Sequence, residues 1–130
     1  MAHIQIDYSA NLGDRLDLPG LCQALLKAAA ETGVFPVAGL RVRAASVQHY
    51  AIADGDPGHG FLDINVRMGA GRSFAEKEQA TQAIFEAAET LCAGLLEDTP
   101  FLLSLETREI DPDLSRKTSS IRDYLPEELH

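Results

Sequence analysis

The stretch LDINVRM (Leu62–Met68), followed at once by GAGRSFAE (Gly69–Glu76), decides how this chain folds. Leu62, Ile64, Val66 and Met68 alternate with Asp63, Asn65 and Arg67. That is the two-residue period of a strand with one buried face. Gly69-Ala-Gly71 makes a tight turn, and Ser73 and Glu76 then stand at capping-box spacing, where each satisfies an exposed backbone donor of the other. The period changes there to that of a helix. A stripe of Ala80, Ile84, Ala88, Leu91 and Leu95, with Cys92 beside it, predicts a helix to about Leu96. Thr99-Pro100 stops it, and Phe101, Leu103 and Leu105 begin another strand.

Toward the N-terminus the same order repeats. Ile4, Ile6 and Tyr8 alternate with His3, Gln5 and Asp7, so a strand starts almost at the first residue. Asp17 is the expected N-cap of a helix with Pro19 in its first turn. Leu18, Leu21, Cys22, Leu25, Leu26 and Ala29 form its apolar stripe, and Thr32-Gly33 ends it. Leu40, Val42 and Ala44 alternate with Arg41 and Arg43, and a less regular strand signal continues through Val47, Tyr50 and Ile52. So long a strand is expected to bend or break near Ala44 to Gln48. Asp54-Gly-Asp-Pro-Gly58 is a dense turn signal, and the segment from Asp111 reads as an irregular or weakly helical tail.

The order strand, helix, strand, strand, helix, strand describes two β-α-β units and an α+β fold. Right-handed crossovers would build a four-stranded mixed sheet with both helices on one face. The opposite face would carry His3, Gln5, Arg41, Arg43, Asp63 and Asn65, a polar set suited to an aqueous site or a polar subunit interface.

A chain of 130 residues is one domain, 1–130, with enough length for a core of its own. The formal charge of −9 argues against a nucleic-acid partner. No apolar run reaches membrane-spanning length, and the first residues lack the pattern of a signal peptide, so no membrane partner and a cytoplasmic location are expected. Cys22 and Cys92, each in an apolar helical pattern, read as buried reduced thiols. In so acidic a chain, an acidic ligand would require arginines to be concentrated locally. Arg41, Arg43, Arg67 and Arg72 all fall in the middle third, although composition alone favours reading them as solvated strand and turn residues.

Other chemistries find little support. His49, His59 and His130 have no ligand spacing with His3 or with one another, so no metal is expected. Gly69-Ala-Gly71 lacks the glycine fingerprint of dinucleotide sites, and Ser73 is explained as a cap better than as a nucleophile. Glu106 and Glu109 read as solvated strand-end charges, and Phe35 as either a pocket wall or connector packing.

Four strings carry a resemblance: Asp17-Leu-Pro-Gly20, Thr32-Gly-Val-Phe-Pro-Val-Ala-Gly-Leu-Arg41, Ala53-Asp-Gly55 and Gly69-Ala-Gly-Arg-Ser73. In order and spacing they resemble the 5-carboxymethyl-2-hydroxymuconate isomerase family of the tautomerase superfamily, whose fold is that of macrophage migration inhibitory factor. The likeness runs from about residue 2 to about residue 115. It implies the tautomerase fold, a homotrimer, no cofactor and no metal. It also implies a tricarboxylate dienol substrate from homoprotocatechuate (4-hydroxyphenylacetate) degradation. The family's base is an N-terminal proline whose amine is kept neutral by an apolar pocket. By the same resemblance Arg41 and Arg72 would bind carboxylates and stabilise the developing dienolate. Arg43 and His3 match family residues beside them, and Phe35 is a candidate substrate contact.

One departure stands out: Ala2 occupies the position of the catalytic proline. Removal of Met1 would expose a primary amine at that place, able to act as a base with less preorganisation than a proline ring. Retention of Met1 would displace the amine by about 3.5 Å, which general acid–base geometry tolerates poorly. Three readings stay open: a working isomerase using the Ala2 amine, with the family's or a relaxed substrate choice; a catalytically impaired relative that binds an acidic small molecule or serves as a trimeric binding protein; or an isomerase carrying an introduced alanine.

Overall fold

The computed structural model describes residues 2–130; Met1 and the question of its processing lie outside them. Strand β1 (Ala2–Ser9) leads through a 3-10 turn (Ala10–Leu12) to helix α1 (Leu18–Glu31). A second 3-10 turn (Val37–Gly39) precedes β2 (Leu40–Val47). The second unit comprises β3 (Gly60–Gly69), α2 (Phe74–Leu91), a short α3 (Ala93–Asp98) and β4 (Phe101–Ile110). The tail holds two 3-10 turns, Ile121–Tyr124 and Glu127–Leu129.

The sheet order is β2-β1-β3-β4. Within each unit the strands are parallel, as a helical crossover requires, and the two units join through the antiparallel pair β1–β3. The sheet is therefore mixed, as expected. Ile4, Ile6, Leu62, Ile64, Val66 and Met68 are fully buried and share one core with Leu21, Leu25, Ala80 and Ile84 of the two long helices. Both helices thus cover the same sheet face.

The local signals act as read. The Asp17 side chain accepts from the Gly20 N–H at 3.0 Å, and Ser73 and Glu76 form the reciprocal capping box. Gly33 takes the left-handed conformation (φ 71°) just beyond α1. β2 ends at Val47, within the segment where a break was expected, and the weaker strand signal at Tyr50 and Ile52 falls outside any strand.

One expectation needs correction. The second helix does not run unbroken to Leu96: Cys92, at φ −95° and ψ 5°, separates α2 from α3. Leu91 is 42% exposed while Cys92 is fully buried, so the stripe proceeds from Ala88 to Cys92 and Leu95 and passes Leu91 by. A four-residue step keeps the same helix face toward the core. A third, short helix results.

Candidate active site

The open sheet face is organised in rows set by register. His3 of β1 lies between Arg41 of β2 and Arg67 of β3, and Arg67 faces Arg108 of β4. The next row, roughly 7 Å along the strands, is Arg43, Gln5, Asn65 and Glu106. The third holds Asp7, Asp63 and Ser104. Cations gather at the end where β1 begins, and carboxylates lie farther in.

Arg41 Nη2 donates to His3 Nε2, and Arg41 Nη1 donates to the Gly39 carbonyl at 3.4 Å. Arg43 Nη2 donates to Gln5 Oε1 at 3.0 Å. Burial, followed by the charges of Arg41, Arg67 and Arg43, pushes the His3 imidazole down to about 4. His3 is thus neutral at ordinary pH, and its Nε2 is free to accept the proton of Arg41. The pair holds the guanidinium in one orientation without cancelling its charge.

Arg72 reaches the same end of the sheet from the turn after β3. Its Nε donates to the Val34 carbonyl at 3.0 Å, and its Nη1 to the Gly69 carbonyl at 2.9 Å. Its guanidinium stands 5.3 Å from the centroid of the Phe35 ring. Phe35 is only 5% exposed and belongs to the core, so it acts as a platform beneath Arg72 and presents little surface of its own. Two backbone bonds leave the Nη2 donors of Arg72 uncommitted. Ala2 is fully buried, paired with Leu40 on one side and Met68 on the other. The chain neighbours of those partners, Arg41 and Gly69, belong to the two arginine arrangements just described. The expected site residues His3, Arg41, Arg43, Phe35 and Arg72 therefore gather around the first residues of β1.

The family model for 5-carboxymethyl-2-hydroxymuconate isomerase matches residues 2–125. The chain belongs to this family. It is 35% identical over 121 residues to the 5-carboxymethyl-2-hydroxymuconate Delta-isomerase of Escherichia coli, covering 93% of this chain and 96% of that one. It matches a crystal structure of a 5-carboxymethyl-2-hydroxymuconate delta-isomerase with a TM-score of 0.88 at 34% identity, covering 95% of this chain and 92% of that one. The isomerase from Deinococcus radiodurans R1 matches with a TM-score of 0.87 at 30% identity, covering 96% and 95%. A more distant fused 4-OT, a symmetric trimer, shares the fold with a TM-score of 0.64 at 19% identity, covering 85% and 88%.

Arg67 was grouped with the other middle-third arginines in the sequence but given no role of its own. Its place beside His3 follows from the β1–β3 register, which strand periodicity alone does not specify. Elsewhere, His59 Nε2 meets Asp54 Oδ1 at 2.7 Å within the turn before β3. Among the described residues no three His, Cys, Asp or Glu side chains converge. No helix among them is long and apolar enough to cross a membrane. Burial raises the thiol of Cys22 and pushes that of Cys92 up to about 11, which disfavours the nucleophilic thiolate at either.

Proposed function

We propose that this protein is a cofactor-independent tautomerase acting on an acidic dienol, by the chemistry of 5-carboxymethyl-2-hydroxymuconate delta-isomerase, in homoprotocatechuate breakdown. The observation that carries this reading is the position of Ala2. It starts β1 between the strand bearing Arg41 and the turn that anchors Arg72, in a chain whose family is that of the isomerase.

Freed by removal of Met1, the Ala2 amine is the base. An ordinary α-amino group titrates at about 7.7–8.0, so little adjustment is needed for work near neutrality. It takes the proton of the 2-hydroxyl group. The oxygen electron pair closes a carbonyl, the double bonds shift, and a distant carbon receives the proton. Arg41 and Arg72 hold substrate carboxylates and stabilise the charge of the dienolate. Neutral His3 orients Arg41, and Arg43 strengthens the positive field. Phe35 supports Arg72 from below.

The reading includes a homotrimer in the cytoplasm. The outer edges of β2 and β4 are unpaired in the isolated subunit, and Leu102 and Phe74 are exposed, features an assembly would cover. The free state of both cysteines is in keeping with a reducing compartment.

The test is an intact-mass measurement followed by a ketonisation assay, with Ala2→Pro assayed in parallel. Turnover by chain lacking Met1 is the expected result, and the proline variant should be faster. Turnover by the processed Ala2→Pro variant alone would mean that alanine has abolished the chemistry, leaving a binding protein for an acidic small molecule.

A further inference from the structure

The C-terminal tail has no function in the mechanism above. Yet it closes a cleft of about 730 Å³ against residues 36–39, at the entrance to β2. That is the size range of small-molecule sites. Arg41, Arg116, Lys117 and Arg122 line it together with the hydroxyls of Thr118 and Ser119. No aspartate or glutamate does, and the α-carboxylate of His130, which also lines it, makes no salt bridge to any of the four. Ile121 and Leu129 supply apolar wall.

This composition is unusual for a chain with 20 acidic residues and 11 basic ones. Arg15, Lys27, Lys77 and Arg108 each pair with a carboxylate. None of the four cleft cations has a carboxylate partner among the described residues. Arg116 Nη1 donates to the carbonyls of Asp113 and Ser115, which fixes the side chain while leaving its charge uncompensated. Like charges that share one concavity repel, and a multivalent anion relieves that repulsion. Arg41 belongs both to this cleft and to the contact with His3. Ala2 pairs with Leu40, whose neighbours Gly39 and Arg41 both line the cleft. The cleft therefore opens beside the start of β1.

We propose that the tail is part of the binding site: Arg116, Lys117 and Arg122, with Arg41, receive a small organic polycarboxylate. Its identity as substrate rests on the functional reading above, whereas its binding does not. Arg41 takes the carboxylate nearest the reacting carbons, and the tail cations take a more distant one. Specificity for a third carboxylate then resides in the tail.

Titration calorimetry with tricarballylate, an unreactive tricarboxylate, tests binding without chemistry. The double variant Lys117→Ala/Arg122→Ala removes two exposed side chains, and its thermal melt reports whether the fold is retained. If the pair perturbs the melt, Lys117→Ala alone takes its place. Affinity should fall about tenfold, the scale of losing one well-placed charge contact. Arg15→Ala, which removes a cation outside the cleft, should leave affinity unchanged. Equal affinity in wild type and the tail variant, or an equal loss in Arg15→Ala, would overturn the proposal, as would no binding by the wild type. In the ketonisation assay the tail variant should raise KM about tenfold for the tricarboxylate dienol, with kcat nearly unchanged and less effect on the dicarboxylate 2-hydroxymuconate. Tail-dependent tricarballylate binding without any turnover would sink the tautomerase reading and leave this one standing.

Discussion

The two β-α-β units place equivalent corners at opposite ends of one sheet, and the corners have been put to different uses. At the start of β3, Gly60 sits so close to Leu12 that an added Cβ would lie 2.8 Å from the Leu12 Cδ2. Ser9 Oγ accepts from the Phe61 N–H at 3.0 Å and donates to Asn11 Oδ1 at 2.7 Å. Asn11 Nδ2 in turn donates to the His59 carbonyl at 2.8 Å. Ser9 and Leu12 are both buried, so this corner is plugged and its polar groups are satisfied. At the start of β1 the corresponding positions are ringed by Arg41, Arg67 and Arg72, none of them paired with a carboxylate among the described residues. One topology therefore yields a corner that stabilises and a corner that carries uncompensated charge. Such charge contributes little to folding and is useful only to a ligand that supplies the opposite sign.

The contrast can be broken first at Arg41. Arg41→Ala should lower kcat/KM by about 10²–10³-fold, or roughly 3–4 kcal/mol of transition-state stabilisation. Its denaturation midpoint should stay near that of the wild type, because the side chain is exposed and pairs with no carboxylate. Steady-state kinetics beside urea unfolding reads both. A large loss of stability at Arg41 would mean that the two corners are alike after all.

At the plugged corner the expected pattern is inverted. Leu12→Ala should cost about 2–4 kcal/mol of stability through the cavity it leaves. Ser9→Ala should cost about 1–2 kcal/mol by stranding the Phe61 N–H. Neither should change kcat/KM for the folded fraction. A catalytic defect at full stability in either variant would overturn the division.

The smallest effect sharpens the electrostatic side. By proton NMR, His3 should titrate at about 4. It should move upward in Arg41→Ala or Arg67→Ala, though not to the ordinary value, since burial is the larger cause. The unfolded chain takes up this proton near 6.5, whereas the folded chain refuses it until about 4. Stability should therefore decline as pH falls through that interval. A His3 titration near 6.5 would mean that the arginines do not act on it.

The candidate site was legible in unequal parts. The acidic composition drew notice to Arg41, Arg43, Arg67 and Arg72 alike, and the family resemblance, not charge, separated Arg41, Arg43 and Arg72 from Arg67. Phe35 was legible only as a choice between wall and packing, and burial makes it a packed platform for Arg72. Leu91 misled because it fits a helical stripe by spacing alone, while the buried positions advance in steps of four through Ala80, Ile84, Ala88 and Cys92 and pass it by. Arg116, Lys117 and Arg122 lie in a segment without periodicity, so nothing local distinguished them from a solvated tail.

By itself the sequence determined what depends on near neighbours. Strand and helix periods arise from residues two to four apart, caps from residues three apart, and unit order from their succession. A net charge of −9 also made the middle-third arginines worth singling out, without deciding their role. Only the tertiary structure decided which rows face each other and what the tail touches. The placement of Arg67 beside His3 and of the tail cations beside Arg41 depends on strand register and on packing between distant segments. A single-residue slip of β3 against β1 would send Arg67 to the other face. That choice is made by the burial of Ile4, Ile6, Leu62, Ile64 and Val66 against both helices, which no local pattern encodes.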